Sequence, residues 1–567
     1  MRRRAQNLLV FLLIAAAVVA QPAITVVSNT TVARSSRVLI MGSGFGAAQG
    51  SGHVEIGGIS APLTRWSDTL IAAYIPETAA IGTDNVQVFT SVGASNTVSV
   101  SVTLRSGGVG HIRWRFQADG DYIPTRPAIA SDGTVYTQDV YGHLYALSSD
   151  GGLKWIFNAP GTGHDGISIG GDGTIYIGNT TSIFALDANG AVRWRFDQNP
   201  GAFILLGPNV GPDDNIYAVG TQGMGVFSLT PQGALRWSLT ENYSRPIVTM
   251  EEIVFGPLLQ SRLYFHANDH LRGVALDGSP VSTFVDHLDT SQGIQQPTVA
   301  PDGSVYSNLF TYPGPGIVLG KIDKNGSESW HIFDQLSTST NVVSAPDVGS
   351  NGVIYDGQNL LNLYAINPDG STLWKYTDTE TLFAPIVSPL NDVVFMGGAT
   401  DGQPGFFEAV STAGVLLWKS RLPVENGVNI VPMSRARFTP DGLTAYIGTS
   451  IPGQISNGYS YLYSVQVGIG GGSLSLSALR LNPTTVKGGT SSQGTVTLTG
   501  PAPAGGIVVT LASNRKAAIV PPSVTVKAGA SSAVFTVNTK VVTLQKIVTI
   551  SASYRGVTKS AKLTLVP

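Results

Sequence analysis

Three kinds of polar group in this sequence have the residue types that chemistry needs. Neighbouring carboxylates occur at Asp119 with Asp121 and at Glu251 with Glu252, the raw material for acid and base work on a glycosidic bond. Separation in space decides that mechanism, and these four read as solvated loop carboxylates. Imidazole and carboxylate adjoin at His164-Asp165 and Asp269-His270, the combination used for proton transfer or metal ligation. Adjacent residues of an extended strand point to opposite faces, so both pairs read as loop polar residues. Asp187-Ala-Asn-Gly190 and Asp323-Lys-Asn-Gly326 open like calcium loops, but the glycine stands fourth instead of sixth. The closing glutamate is replaced by Gln198 and Asp334. Both segments read as hairpin turns, and no catalytic, cofactor-binding or metal-ligating residue is expected.

The elements that would position such groups are repeats between about His111 and Val467. Each repeat has a strand ending in an aromatic, a second short strand, an Asp/Asn-Gly turn and then a tryptophan. Asp172-Gly-Thr-Ile-Tyr176, Ile183-Phe-Ala-Leu186, Asn189-Gly190 and Val192-Arg-Trp194-Arg-Phe196 form the clearest copy. The strand aromatics are Tyr136, Tyr176, Tyr217, Tyr264, Tyr306, Tyr355, Phe395 and Tyr446. Their spacing of 40 to 51 residues, with several strands per unit, is the period of a propeller blade. Tryptophans at 114, 155, 194, 237, 330, 374 and 418 mark the same period, each four residues after a glycine. The unit with Gly278 has Ser282 in the tryptophan position and reads as degenerate. No blade can bury both faces alone, so the blades must stack in a ring. Ile112 to Phe116 is a surplus fourth strand at the front, expected to complete the last body around Ala445 to Val465 and close the ring. Eight four-stranded blades are expected, with seven as the alternative.

Asp132-Gly-Thr-Val-Tyr136, Leu144-Tyr-Ala-Leu147 and Gly151 to Trp155 resemble the repeats of pyrroloquinoline-quinone-type (PQQ-like) β-propellers, over about 357 of 567 residues. From Ala185 through Gly190 to Trp194 the spacing is one residue shorter than the tryptophan-docking motif of the quinoprotein dehydrogenases. The resemblance implies two possible uses. Quinoprotein alcohol dehydrogenases hold PQQ and calcium with a vicinal cysteine pair, a Glu/Asn/Asp set and an Asp base. This chain has no cysteine and no alignable calcium set, so those roles have no positions to fall on. Envelope assembly-scaffold propellers share the repeat and work without cofactor.

Charged residues make up only 12% of the chain, Gly and Pro number 67 and 32, and the net charge is −2. Short strands and tight turns account for this composition. Only the first residues form a basic run, so electrostatic capture of nucleic acid has no visible source. Without cysteine there is no disulfide, thiolate metal site or cysteine nucleophile. Met1-Arg-Arg-Arg4, an apolar run from Leu8 to Ala17 and Val18-Val-Ala20 before Gln21 read as a signal peptide over 1–20. Its apolar run is shorter than the ~20 residues a bilayer span needs, so no transmembrane anchor is expected after cleavage.

Residues 22–104 read as a sandwich. Val38-Leu-Ile-Met-Gly-Ser-Gly-Phe45, Trp66 and Ser67-Asp-Thr69 resemble an IPT/TIG domain, an immunoglobulin-like fold. The ring follows at 111–467, then a Gly-rich linker at 468–473. Residues 474–567 form a second sandwich similar to bacterial Ig-like repeats. Its basic residues Arg515, Lys516, Lys540, Lys546, Arg555 and Lys559 are scattered among strands and read as a solvated face. The expectation is an all-β, secreted, extracellular or periplasmic protein whose propeller loops bind a protein or glycan. Its Ig-like modules would serve as spacers or adhesive units. The alternatives are a PQQ- and calcium-dependent dehydrogenase and a polysaccharide-acting hydrolase or lyase.

Overall fold

The computed structural model describes residues 21–105, 111–162, 166–197, 204–220, 225–239, 254–255, 262–267, 270–279, 297–310, 317–323, 328–333, 345–358, 361–400, 402–425, 427–450, 460–467, 476–499, 502, 506–527, 530–554 and 557–567. Strands are the only extended secondary structure among these residues, and no helix there is long and apolar enough to cross a membrane. The expected leader at 1–20 lies outside the described residues.

Three successive antiparallel pairings build each four-stranded blade. In the first blade the strands Ala128–Ile129, Val135–Gln138, His143–Leu147 and Leu153–Asn158 pair in sequence order. The Asp-Gly-Thr turn before the second strand is fixed by Asp132, whose carboxylate accepts from the amide and hydroxyl of Thr134 at 2.9 and 2.8 Å. Asp172 does the same with Thr174 in the next blade. Eight sheets of this kind follow one another among the described residues. Six contain four strands in sequence order, the closing sheet contains five, and the sheet of residues 254–275 contains three. The expected degenerate unit is this one, and Ser282 lies outside the described residues.

The ring closes non-covalently. Ile112–Gln117 pairs antiparallel with Tyr461–Gln466, in the sheet that also contains Thr444–Ser450, with Arg115 opposite Tyr463 and Gln117 opposite Tyr461. Antiparallel pairing to a front-end strand satisfies an edge that would otherwise expose its amides and carbonyls. On the inner side two arginines cross the same seam reciprocally. Arg126 Nε donates to the carbonyl of Ala436 at 3.0 Å, and Arg437 Nε to that of Pro127 at 3.3 Å.

Tryptophan docking joins blade to blade. The Trp155 indole donates to the carbonyl of Ala188 at 2.9 Å, Trp194 to Pro231 at 2.8 Å and Trp374 to Thr412 at 2.9 Å, each in the turn of the following blade. The indole lies on that turn's glycine so closely that a Cβ on Gly190 would sit 2.9 Å from Trp155. The same glycine has φ 84°, so the turn geometry and the tight contact both demand it. Each indole also tilts against its own blade's aromatic, as Trp155 does on Tyr136 and Trp194 on Tyr176.

The N-terminal module has two sheets. One orders Ala23–Val27, Arg37–Ser43, Leu70–Tyr74 and Leu63–Trp66; the other contains Thr31–Ala33, Val98–Thr103, Gly82–Phe89, His53–Ile56 and Ile59–Ser60. Val38, Ile40, Phe45, Val54, Ile56, Ile71 and Val86 are buried between them. The C-terminal module also has two sheets around one core, including Leu479, Val496, Val509, Phe535, Val548 and Leu563.

Candidate functional site

A dense buried polar cluster lies where the N-terminal module meets the closing seam. Asp119 follows the closing strand and is fully buried, with its two carboxylate oxygens 3.4 Å from Arg37 Nε and Arg65 Nε of the N-terminal module. A buried carboxylate is tolerable only with such charge compensation. Next to it, Asp139 is equally buried in the hairpin before His143–Leu147. It accepts from the amides of Gly120, Tyr141 and His143, from His143 Nδ1 at 2.9 Å and from the Tyr145 hydroxyl at 2.7 Å. His143 Nε2 faces the carbonyl of Thr64 at 3.0 Å. Burial pulls the His143 pKa down, but the Asp139 carboxylate outweighs it and leaves the group above its ordinary value. Both ring nitrogens thus face acceptors, which suits an imidazolium donating to each module.

Apolar packing reinforces the ionic contacts. Tyr74 is fully buried among Trp114, Phe116 and Tyr145, and its hydroxyl donates to the carbonyl of Gln117 at 3.0 Å. Burial, reinforced by Asp119, pushes the Tyr74 phenol well above its ordinary range. The amide of Leu153 donates to Ser35 Oγ at 2.8 Å, and Asn158 to the carbonyl of Leu63 at 3.0 Å, along the outer strand of the first blade. Arg105 pairs with Glu77 and, at 3.0 Å, with Asp150. The N-terminal module is therefore docked on the ring closure and is not a free spacer.

A second cluster bridges the sheets of residues 347–377 and 386–421. Glu408 is fully buried, and its Oε1 finds no hydrogen-bond partner among the described residues. Desolvation, with Asp378 beside it, pushes its carboxyl up to about 8. Burial raises Asp378 too, but hydrogen bonds and the Lys419 ammonium overrule it and bring the carboxyl down to about 2. Lys419 Nζ lies 2.9 Å from both oxygens of Asp378, 2.9 Å from Glu380 and 3.7 Å from the Phe406 ring centre. This environment separates two carboxyls in acidity, but Glu408 is sealed from solvent.

A cavity of about 540 Å³ opens among the innermost strands, lined in part by Arg126, Asp347, Ile386, Arg437 and Phe438. Its arginines donate to carbonyls across the seam, and Asp347 accepts from the amide of Val387 at 2.8 Å. Its charged groups are engaged in contacts between neighbouring blades.

Of the groups singled out in the sequence, Asp119 and Asp121 come close to the junction but do not form an acid and base pair. Asp119 faces two arginines, and Asp121 accepts from the Tyr141 hydroxyl at 2.6 Å. Asp187 Oδ1 accepts from the amides of Asn189 and Ala191, both at 2.9 Å, and so closes its own hairpin. No cluster of three or more metal-ligating side chains occurs among the described residues. His164, Asp165, Gln198, Glu251, Glu252, Asp269, Asn325, Gly326 and Asp334 lie outside the described residues, as does the side chain of His270. Sequence reasoning missed Arg37, Arg65, Asp139, His143 and the Glu408 group. The only local signal was Asp139 four residues before His143 across a Gly-containing hairpin; the other partners come from separate modules or blades.

Residues 100–307 match the family model of the outer membrane protein assembly factor BamB, and residues 22–109 match that of the IPT/TIG domain. No curated protein matches the chain. Among solved structures, BamB from Moraxella catarrhalis aligns over 63% of this chain and 99% of its own, at 16% identity and a TM-score of 0.47. The Dos1 propeller aligns over 63% and 95% at 11% identity and a TM-score of 0.45. The Cps50 (Swd1) β-propeller domain of Myceliophteria thermophila aligns over 62% and 98% at 9% identity and a TM-score of 0.38.

Proposed function

We propose that this chain, whose ring carries PQQ-like repeats and whose N-terminal module is of the IPT/TIG type, is an exported, non-catalytic binding protein that presents propeller loops to a protein or glycan partner. The observation that carries this reading is the junction. Asp119, Asp121, Asp139 and His143, groups with the chemistry for proton transfer, face donors and acceptors within the molecule. They make the ring and the N-terminal module one rigid platform. Rigidity favours display, because loops held on a stiff scaffold lose less freedom on binding. Export is supported by the leader-like sequence at 1–20 and fits a cysteine-free chain.

The test adds PQQ and calcium to the purified protein and, separately, maps contacts by cross-linking in envelope fractions and on a glycan array. The reading expects no retained quinone absorbance, no rise in melting temperature, and partner contacts on propeller loops. Retention of quinone with a melting rise, or turnover of a bound polysaccharide, would overturn it in favour of an enzyme.

A further inference from the structure

The C-terminal sandwich differs in charge from the rest of the molecule. Residues 474–567 contain ten Lys and Arg and no Asp or Glu, so with the chain at −2 the remainder carries −12. In sequence these cations look scattered; strand register gathers five of them. The chain enters the sandwich at Leu476, opposite Leu498. Lys487 pairs with Val566 and Lys546 with Leu565, at the end remote from Leu476. The loop carrying Arg515 and Lys516 follows Ser513, which pairs with Ile550, and the amide of Lys540 donates to Ala517 at 2.9 Å. Lys487, Arg515, Lys516, Lys540 and Lys546 are all exposed at this far end.

Between them stands an apolar tip. Val541 is 80% exposed, Leu544 74% and Ile547 52%. The tip has a braced base: Gly489 donates to Thr539 Oγ1 at 3.0 Å, and a Cβ on Gly489 would sit 3.1 Å from Val541 Cγ2. Exposed apolar side chains ringed by cations, with no local carboxylate, match an anionic bilayer surface. The aliphatic groups enter the acyl boundary while the lysines meet lipid phosphates. A soluble polyanion would use the cations but not the apolar tip. The module also lacks the aromatic platform on which bases stack, since Phe535 is buried and Tyr554 half-buried.

We propose that the end of the C-terminal sandwich formed by Lys487, Arg515, Lys516 and the segment 540–547 docks on the phosphate-bearing headgroups of an anionic lipid bilayer. The test is co-sedimentation of the full chain with phosphatidylcholine vesicles, with and without phosphatidylglycerol. Binding is expected only to the anionic vesicles and weakens as salt rises. Val541→Ser with Leu544→Ser is expected to weaken it about tenfold. Lys540→Glu with Lys546→Glu is expected to weaken it about twenty-fold or more. All four positions are exposed, and unchanged melting of each variant verifies the fold; the milder Lys540→Gln with Lys546→Gln serves if the charge reversal melts early. The proposal is overturned if anionic vesicles do not bind, if neutral vesicles bind equally, or if the serine variant binds undiminished. Tighter binding to duplex DNA or an acidic oligosaccharide, unaffected by the serine changes, would also overturn it.

Discussion

The imidazole of His111 stacks on the indole of Trp418, with ring centres 4.0 Å apart and planes 9° from parallel. Six other indoles, from Trp114 to Trp374, lie on a turn glycine of the following blade. Trp418 meets the place where the ring's two chain ends come together, Ile112–Gln117 pairing with Tyr461–Gln466. An aromatic from the front of the chain covers it instead, and the Gln466 amide donates to the His111 carbonyl at 2.7 Å to hold that end. The period is thus kept through the closure by a different contact.

The glycine under each indole is tested at Gly151, which has φ 88° and where a Cβ would sit 2.7 Å from Trp114. Gly151→Ala should destabilise the protein by about 2–4 kcal/mol, combining backbone strain with overpacking. Gly173→Ala shares the positive φ but meets nothing within 4 Å, and should cost about 1 kcal/mol. Equal losses in urea unfolding would show that the indole contact adds nothing.

Arg37 and Asp119 are expected to be strongly coupled. Arg37→Met leaves the buried carboxylate facing only the partly exposed Arg65, and should cost about 3–5 kcal/mol. Changing Asp119→Leu as well removes the stranded charge and should recover most of that loss. Additive losses in a double-mutant cycle would contradict this account. Limited proteolysis between the N-terminal module and the ring offers a second readout of undocking.

The His143 contribution has a definite sign with pH. Its folded pKa is raised above 6.5, so the stabilisation is fully present below that value and is lost as pH rises through the folded pKa. Melting temperature should fall on the alkaline side of 6.5. His143→Gln should flatten that limb; an unchanged slope in the variant would assign it elsewhere.

Glu408 acts over a lower window. Its carboxyl is raised from 4.5 to about 8, so folding binds a proton there and stability declines as pH climbs between those values. Glu408→Gln keeps the shape without the ionisation. It should raise stability at pH 8 by something on the order of 2 kcal/mol, with little change near pH 4.5. Asp378 works in the opposite direction: held down to about 2, it stabilises above 3.8 and loses that effect as pH falls toward 2. Calorimetry of Asp378→Asn across that acid limb should show a flattened slope.

What the sequence determined alone was the repeating architecture. Glycine followed four residues later by tryptophan recurs because each unit repeats one local turn and one interblade contact, so the requirement is written into every copy. The surplus strand at Ile112 to Phe116 was legible for the same reason, as a fourth strand without a body before it. Tertiary structure alone decided what the charged groups do. Asp119 looks like a loop carboxylate until Arg37 and Arg65 are brought to it from another module, and Glu408 acquires its raised pKa only through burial, with Asp378 of the preceding blade beside it. The cations of the last sandwich likewise become one end only through strand register. Local turn chemistry is encoded within a few residues, whereas Coulomb interactions and burial depend on distances that chain order does not contain.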